Sequence, residues 1–418
     1  MIMTQTRRVL IVGGGAAGMM AAISAARCGC QVDLYEKNEK LGKKLFITGK
    51  GRCNVTNACE GVEAFLPHVV SNPRFLYSAF YGFDNQAMMA FLESEGLHLK
   101  VERGLRVFPV SDKSSDVIRT LEQAMRKAGV RVHLNAPVKS LIMEEDRVCG
   151  LTLASGEAVA GDAVILAAGG LSYPSTGSDG DGYRLAKSAG HSVTSLTPSL
   201  VPMVVEEDWC RDLQGLSLRN IGFVLKRGKK KIYEGFGEMM FTHFGITGPV
   251  VLTGSTRIAP HLKKGPVSCV IDLKPALSES ELDARLLRDF DKYHQRQMRN
   301  ALGDLLPSSL IPVVLLLAQI DPYLPVHELD RQSRLRLLSV LKGLTMTVTA
   351  LRGYNEAVIT QGGVNVREIR PDTMASRKKT GLYMAGEMLD VDAETGGFNL
   401  QIAWSTAWAA GIGAARGI

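Results

Sequence analysis

Three glycines, at 13, 15 and 18, and an acid at 36 are the residues whose chemistry can be read first. Within VLIVGGGAAGMMAAISAARCGCQVDLYEK, from Val9 to Lys37, they fall on the spacing G-x-G-x-x-G with a carboxylate beyond. Gly13 suits a tight turn, Gly15 lets a pyrophosphate approach the backbone, and Gly18 lets a helix pack closely on a strand. Ala16 and Ala17 open that helix, whose free N–H groups and positive dipole end face the phosphates. Glu36, next to Lys37, is placed to accept hydrogen bonds from a ribose 2′-OH, which favours an adenosine without a 2′-phosphate. These residues predict a dinucleotide site; FAD and NAD are both open on this motif alone.

The elements that must hold such a site can be read around it. Val9–Val12 is a buried parallel strand that stops at three glycines, and Gln31–Tyr35 restores a strand pattern after the helix. The next segment, KNEKLGKKLFITGKGRCNVTNAC, is a loop that wraps a ligand rather than a packing element. Phe75–Leu97 has the period of a helix, Ser114–Ala128 is an amphipathic helix with Gly129 as its cap, and Ala136–Ala160 reads as a three-stranded meander beginning near Val138. Asp162–Gly170 is a second buried strand, whose end at Ala168 and Gly169 returns to the cofactor. From His191 to Asp272 short alternating runs predict a β-rich insertion, and Pro275–Gly343 is helical and charged. Nucleotide-domain character resumes near Gly381, with a strand at Leu382–Ala385 and a closing helix from about Phe398. The expected organisation is α/β: a cofactor domain from residues 1–190 and 346–418, a β-rich insertion at 191–274 and a helical insertion at 275–345.

Composition bounds the rest. With 418 residues, 45% hydrophobic and 22% charged, the chain is an ordinary globular protein of more than one domain. Its formal net charge of +7 is modest over this length. The basic run KRGKKK, Lys226–Lys231, reads as a solvated hairpin tip between Ile221–Leu225 and Ile232–Phe236 rather than a nucleic-acid contact. Seven scattered cysteines show no metal-like spacing, so no metal is expected and reduced thiols of a cytoplasmic protein are. No signal peptide is visible, and apolar Leu310–Ile320 is too short to span a bilayer.

The return of the chain at its C-terminus favours FAD. Gly386-Glu387 fits the acid that hydrogen-bonds a ribityl chain, and the helix after Gly396-Gly397, with Asn399 and Leu400 in its first turn, presents N–H groups to a pyrimidine carbonyl or a phosphate. Four blocks, GKGRCNVTN, SYPSTGSDGDGY, GEMMFTHFGITGP and AGEMLDVDAETGGFNLQIAW, resemble the motifs of the BaiN/YhiN-like family of FAD-dependent oxidoreductases. The resemblance runs over nearly the whole chain. It implies a Rossmann-type, GR2-like FAD domain interrupted by a β-barrel-like and a helical part, and an ene-reductase related to bile acids has been attributed to one member. A more distant likeness to fumarate reductase and ketosteroid dehydrogenase flavoproteins implies that the loop after Glu36 passes the flavin, so that Lys44, Lys50, Gly51, Arg52, Cys53 and Asn54 would line FAD, with Arg52 compensating phosphate charge.

For catalysis, His243 is either a proton donor or a satisfied core histidine, and Arg52 and Tyr173 are further candidates, with Asp390 and Tyr354 behind them. Cys53 has no C-x-x-C partner, which favours packing over redox work. The resemblance implies a reaction that passes hydride from NAD(P)H through flavin N5 to an activated C=C bond of a small-molecule substrate. Only one glycine fingerprint is visible, so NAD(P)H would bind transiently in the substrate cleft. No membrane partner is expected, a nucleic-acid partner is not favoured, and the oligomeric state is not legible. The rival reading is a flavin-bearing RNA-interacting or tRNA-modifying protein, motivated by the net charge and KRGKKK.

Overall fold

A computed structural model describes residues 6–418. The chain divides into two compact units, Met1–Ser199 with Tyr354–Ile418, and Leu200–Gly353. The first is built on five parallel strands. β1 (Arg8–Val12) leads into helix α1 (Ala16–Arg27), and β2 (Gln31–Tyr35), β3 (Arg131–His133), β4 (Ala163–Leu166) and β5 (Leu382–Met384) complete the sheet in the spatial order β5–β4–β1–β2–β3. Val9, Leu10 and Ile11 are fully buried, as are all four residues of β4, which explains why these strands read as unbroken apolar runs rather than alternating ones. Val9 lies opposite Ala163 on one side and Val32 on the other, so β1 is central and its glycine turn emerges in the middle of the sheet's C-terminal edge.

The closing helix α2 (Phe398–Arg416) packs against α1 through small residues. A Cβ on Gly411 would lie 1.8 Å from Ser24 Oγ, so only glycine permits that approach. Trp404 is fully buried on α2 and donates its indole N–H to the Val55 carbonyl at 3.0 Å, tying the helix to the segment after the glycine loop. The meander runs through Val138–Glu144, Arg147–Leu153 and Ala158–Ala160, and begins at Val138.

Phe75–Leu97 is not one helix. It breaks into a 3-10 turn (Pro73–Leu76) and two helices (Tyr77–Gly82 and Asn85–Ser94). Phe83 is extended, and the Asp84 carboxylate accepts the Ala87 N–H at 2.7 Å, starting a new helix where periodicity alone showed continuity.

The second unit contains a closed six-stranded barrel formed by Met203–Val205, Ser217–Arg227, Lys230–Thr242, Gly245–Thr247, Val267–Asp272 and Leu344–Leu351. Helices follow at Glu279–Lys292, opened by a Ser278/Glu281 capping box, at Ile311–Leu317, and at Arg331–Lys342, capped by Asp330. Phe223 and Ile271 of the barrel share one apolar cluster with Leu286 and Leu337 of the helices. The β-rich and helical stretches therefore form one body, with edges at 199/200 and 353/354 rather than 190/191 and 345/346. Residues 197–199 stay with the first unit because they pair with Ile359–Gln361, a non-local partner that no local composition reveals.

Candidate functional site

The C-terminal edge of the parallel sheet opens into a cleft that holds about 1370 Å³ of space, open solvent included. The glycine turn shapes its floor. Gly13 has φ +104°, and a Cβ there would lie 2.6 Å from the Ala167 carbonyl oxygen; a Cβ on Gly18 would meet the Gly13 oxygen at 1.8 Å. At Gly15 nothing lies within 4 Å of such an atom, so this position faces open space in the cleft. Gly15, Ala16 and Ala17 bring the N-terminus of α1 to the cleft, and Asn399 and Leu400 bring that of α2. Neither helix has a side-chain N-cap hydrogen bond. Two uncapped N-termini at one cleft form an anion- and carbonyl-binding arrangement.

The polar groups are already oriented. Glu36 is buried, with one oxygen accepting the Gly14 N–H at 2.6 Å and the other accepting the Asn38 backbone and side-chain N–H groups at 2.8 and 2.6 Å. Lys37 lines the cleft with its amine held by Asp179 at 2.5 Å and Asp181 at 3.1 Å. Lys44 Nζ pairs with Glu387 Oε2 at 2.6 Å, while Glu387 Oε1 accepts the Thr360 N–H at 2.9 Å. Thr360 Oγ1 in turn accepts the Leu171 N–H at 2.8 Å. Val138, Ala168 and Gly169 complete the wall.

Ser178 also lines the cleft, is 5% exposed, and its hydroxyl has no hydrogen-bond partner among the described residues. Leaving a buried hydroxyl unpaired costs about 1–3 kcal/mol, a penalty that a ligand atom would remove. The open cradle at Gly15, the two uncapped helices and this orphaned hydroxyl all fit a bound dinucleotide. The glycine spacing could not single out Gly14, Asn38, Thr360 or Ser178. Gly14 occupies an x position of the motif, and the other three reach the cleft through tertiary contacts.

Several anticipated residues lie elsewhere. Lys50 is exposed, and neither it nor Gly51, Arg52, Cys53 or Asn54 lines the cleft. Arg52 is committed to Asp112 at 2.5 Å and Glu102 at 2.5 Å, with its guanidinium 4.2 Å from the Phe108 ring centre. It anchors the loop to a small antiparallel sheet (Thr56–Asn57, Leu99–Glu102 and Arg106–Pro109) instead of facing phosphate. Cys53 is fully buried, and burial pushes its thiol up to about 12, so little thiolate exists near neutral pH. Asn54, with its amide oriented to satisfy its neighbours, accepts the Gly397 N–H at 3.0 Å and so positions the start of α2. The Asn399 side chain holds the Ala393 backbone, donating to its carbonyl at 2.8 Å and accepting its N–H at 2.9 Å, so only its backbone is left to serve a ligand.

Gly386, at φ +78°, lies behind the cleft, where a Cβ would come within 2.7 Å of Ala17 Cβ. Tyr173 is half-buried, and its N–H donates to the Tyr354 carbonyl at 2.9 Å. Burial, helped by Glu356, raises its phenol pKa. His243 is exposed on the second unit, edge-on to Phe244, so it is not a core histidine.

Comparison with known proteins adds to this geometry. The profile of the HI0933-like protein Rossmann domain matches residues 7–413. A 3-dehydro-bile acid delta(4,6)-reductase of Clostridium scindens is 35% identical, over 98% of this chain and 99% of the relative. A ribosomal RNA dihydrouridine synthase of Escherichia coli is 30% identical over 96% of each chain. Among solved structures, 3-ketosteroid delta1-dehydrogenase from Sterolibacterium denitrificans gives a TM-score of 0.55 at 14% identity, covering 99% of this chain and all of that one. A flavocytochrome c3 fumarate reductase gives 0.51 at 19% identity over 99% of this chain and 78% of that one. Both structures are similar in fold. Among the described residues, no helix is long and apolar enough to cross a membrane.

Proposed function

The chain belongs to the HI0933-like Rossmann family of flavoproteins and is an FAD-dependent oxidoreductase; on that premise, we propose that it reduces a carbon–carbon double bond conjugated to a carbonyl, with NAD(P)H as the transient electron donor. The observation that carries this reading is the end-to-end likeness to two kinds of relative whose names describe the same bond change. A 4,6-unsaturated 3-dehydro bile acid and the uracil ring of uridine both present a C=C bond next to a carbonyl.

Bound FAD supplies a hydride carrier at its N5 position. The chain's own part is binding, orientation and proton supply. Gly13–Ala17 and Gly18 would hold the pyrophosphate at α1 and Glu36 the adenosine ribose, in the positions their cleft geometry supports. Lys44 and Thr360 fix the Glu387 carboxylate, which can then accept hydrogen bonds from a ribityl hydroxyl. The uncapped start of α2 would stabilise negative charge on a pyrimidine carbonyl. Tyr173, half-buried and three residues before the cleft residue Thr176, is offered as the proton source through Oη.

A small, steroid-like enone is the first substrate reading, following the relative at 35% identity. Uridine within RNA is the second, favoured by the formal charge of +7 and by the dihydrouridine synthase relatives. Anaerobic reoxidation of the reduced protein against enones, steroid-like acids, quinones and uridine-containing RNA tests both. Reoxidation by a conjugated C=C acceptor, slowed at least tenfold in Tyr173→Phe with FAD content unchanged, is expected. Failure of every such acceptor would remove the proposed reaction, and unchanged turnover in the variant would remove Tyr173 from it.

A further inference from the structure

The basic run at Lys226–Lys231 does not stand alone. Strand Ser217–Arg227 turns at Gly228-Lys229 into strand Lys230–Thr242, and its other neighbour in the barrel is Val267–Asp272. The register sets Lys226 opposite Ser268, so the turn that carries Lys263 and Lys264 into that third strand lies beside the hairpin tip. Arg227 ties the two turns together. Its guanidinium donates to the His261 carbonyl at 3.2 Å and to the Lys264 carbonyl. Three separate charges reach the His261 ring, whose pKa is lowered first by burial and then by Lys230, Lys264 and Arg227.

Lys229, Lys230, Lys263 and Lys264 are all exposed. Among the described residues no carboxylate pairs with any of these four; Glu234 is taken by Lys231. Like charges gathered on one barrel end without counter-ions repel one another, and that cost is relieved when a polyanion binds. Neither turn presents a large exposed apolar side chain, which a lipid surface would use for insertion.

We propose that the barrel end formed by Lys229, Lys230, Lys263 and Lys264, braced by Arg227, binds the phosphate backbone of RNA. This rests on the second substrate reading, uridine within RNA. The surface reads phosphates and not bases, so it supplies affinity while base recognition is left to another surface.

The test uses the FAD-loaded full-length protein and a fluorescein-labelled RNA stem-loop, followed by anisotropy from 50 to 200 mM salt. The wild-type protein should bind with a steep salt dependence. Reversing all four lysines (K229E, K230E, K263E, K264E) should weaken binding at least tenfold at 50 mM salt and flatten the log–log salt slope by roughly 3, since each lost phosphate contact removes about 0.7–0.9. Flavin content and thermal unfolding report that the variant is folded and should not change. A control with Arg126, Lys139 and Lys187 of the first unit changed to Glu should keep most of the RNA affinity. If wild type binds RNA and the fourfold variant binds equally well, or the control loses as much, the assigned surface is wrong while the RNA reading stands. If wild type does not bind RNA at all, or binds only anionic phosphatidylserine vesicles, both the surface and that reading are overturned.

Discussion

Gly15 and Gly18 sit three residues apart in one motif and do opposite work. A side chain at Gly15 would meet no protein atom within 4 Å and would project into the cleft, whereas one at Gly18 would strike the Gly13 carbonyl oxygen at 1.8 Å. Gly15→Val should therefore give a folded, colourless protein with its melting temperature close to that of the wild-type apoprotein. Gly18→Val should instead lose stability itself. Flavin absorbance and thermal unfolding on both variants separate the two roles, and full flavin occupancy in Gly15→Val would contradict the phosphate-turn assignment. Ser178 makes a complementary case. Ser178→Ala removes an unpaired buried hydroxyl, so the apoprotein should be as stable as wild type or more so, while FAD binds about threefold to tenfold more weakly through loss of one hydrogen bond. Fluorescence titration of the apoprotein with FAD measures this, and unchanged affinity would show that the hydroxyl stays orphaned when the cofactor is bound.

At the scale of elements, the site depends on how α2 is started. Gly397 has φ +99°, and a Cβ there would lie 2.4 Å from the backbone carbonyl carbon of Thr56. Its N–H is held by Asn54. The GKGRCN loop therefore serves the cleft from behind, by placing the helix end, although its side chains do not line it. Gly397→Ala should shift the first turn of α2, lower the melting temperature by several degrees and weaken FAD binding more than tenfold. Unaltered FAD affinity at normal stability would separate α2 from cofactor binding. The motif GKGRCNVTN was legible as a unit in the sequence, but its use was not. Arg52 is chemically suited to phosphate, and nothing local shows that Glu102 and Asp112, on a strand and turn some fifty residues away, bind it first.

Across the whole molecule, charge pairs far apart in sequence set the response to acid. Glu368 receives hydrogen bonds from Ser192 and an ion pair from Lys378 at 2.9 Å, and it faces the buried His191 ring at 3.0 Å. Burial alone would raise the Glu368 pKa, but Lys378 and Ser192 outweigh it and hold the carboxyl at about 2, against an ordinary 4.5. A carboxyl depressed in the folded state contributes its stability fully above pH 4.5 and loses it as pH falls toward 2. His191, its pKa lowered by burial despite Glu368, adds a loss in the same direction as pH falls below its ordinary 6.5. The first unit should thus weaken from pH 6.5 downward and more steeply below 4.5. Glu368→Gln should be less stable at pH 7 and show a flatter decline across that lower window in urea titrations. An unchanged decline would mean that other carboxylates govern acid unfolding.

The cofactor half of this protein can be read from its residues alone. Val9–Lys37, Asp162–Gly170 and Gly386–Leu400 announce strands, glycine turns and helix starts because each depends on local backbone geometry: where a Cβ is forbidden, where N–H groups are free, where an apolar run must be buried. The hairpin tip at Lys226–Lys231 can be read in the same way, since turn chemistry and alternation are local as well. Which side chains are already spent and which are available follows from packing between distant parts of the chain. Arg52 is taken by acids on a distant strand and turn, Lys44 by Glu387, and Ser178 is left without a partner among the described residues. From such packing it also follows that the turn bearing Lys263 and Lys264 lies beside that tip, and that the barrel and the helices after it share one core. Each of these is a pairing between residues distant in the chain, fixed by strand register and packing, and a pattern of residue types along one segment does not encode its partner.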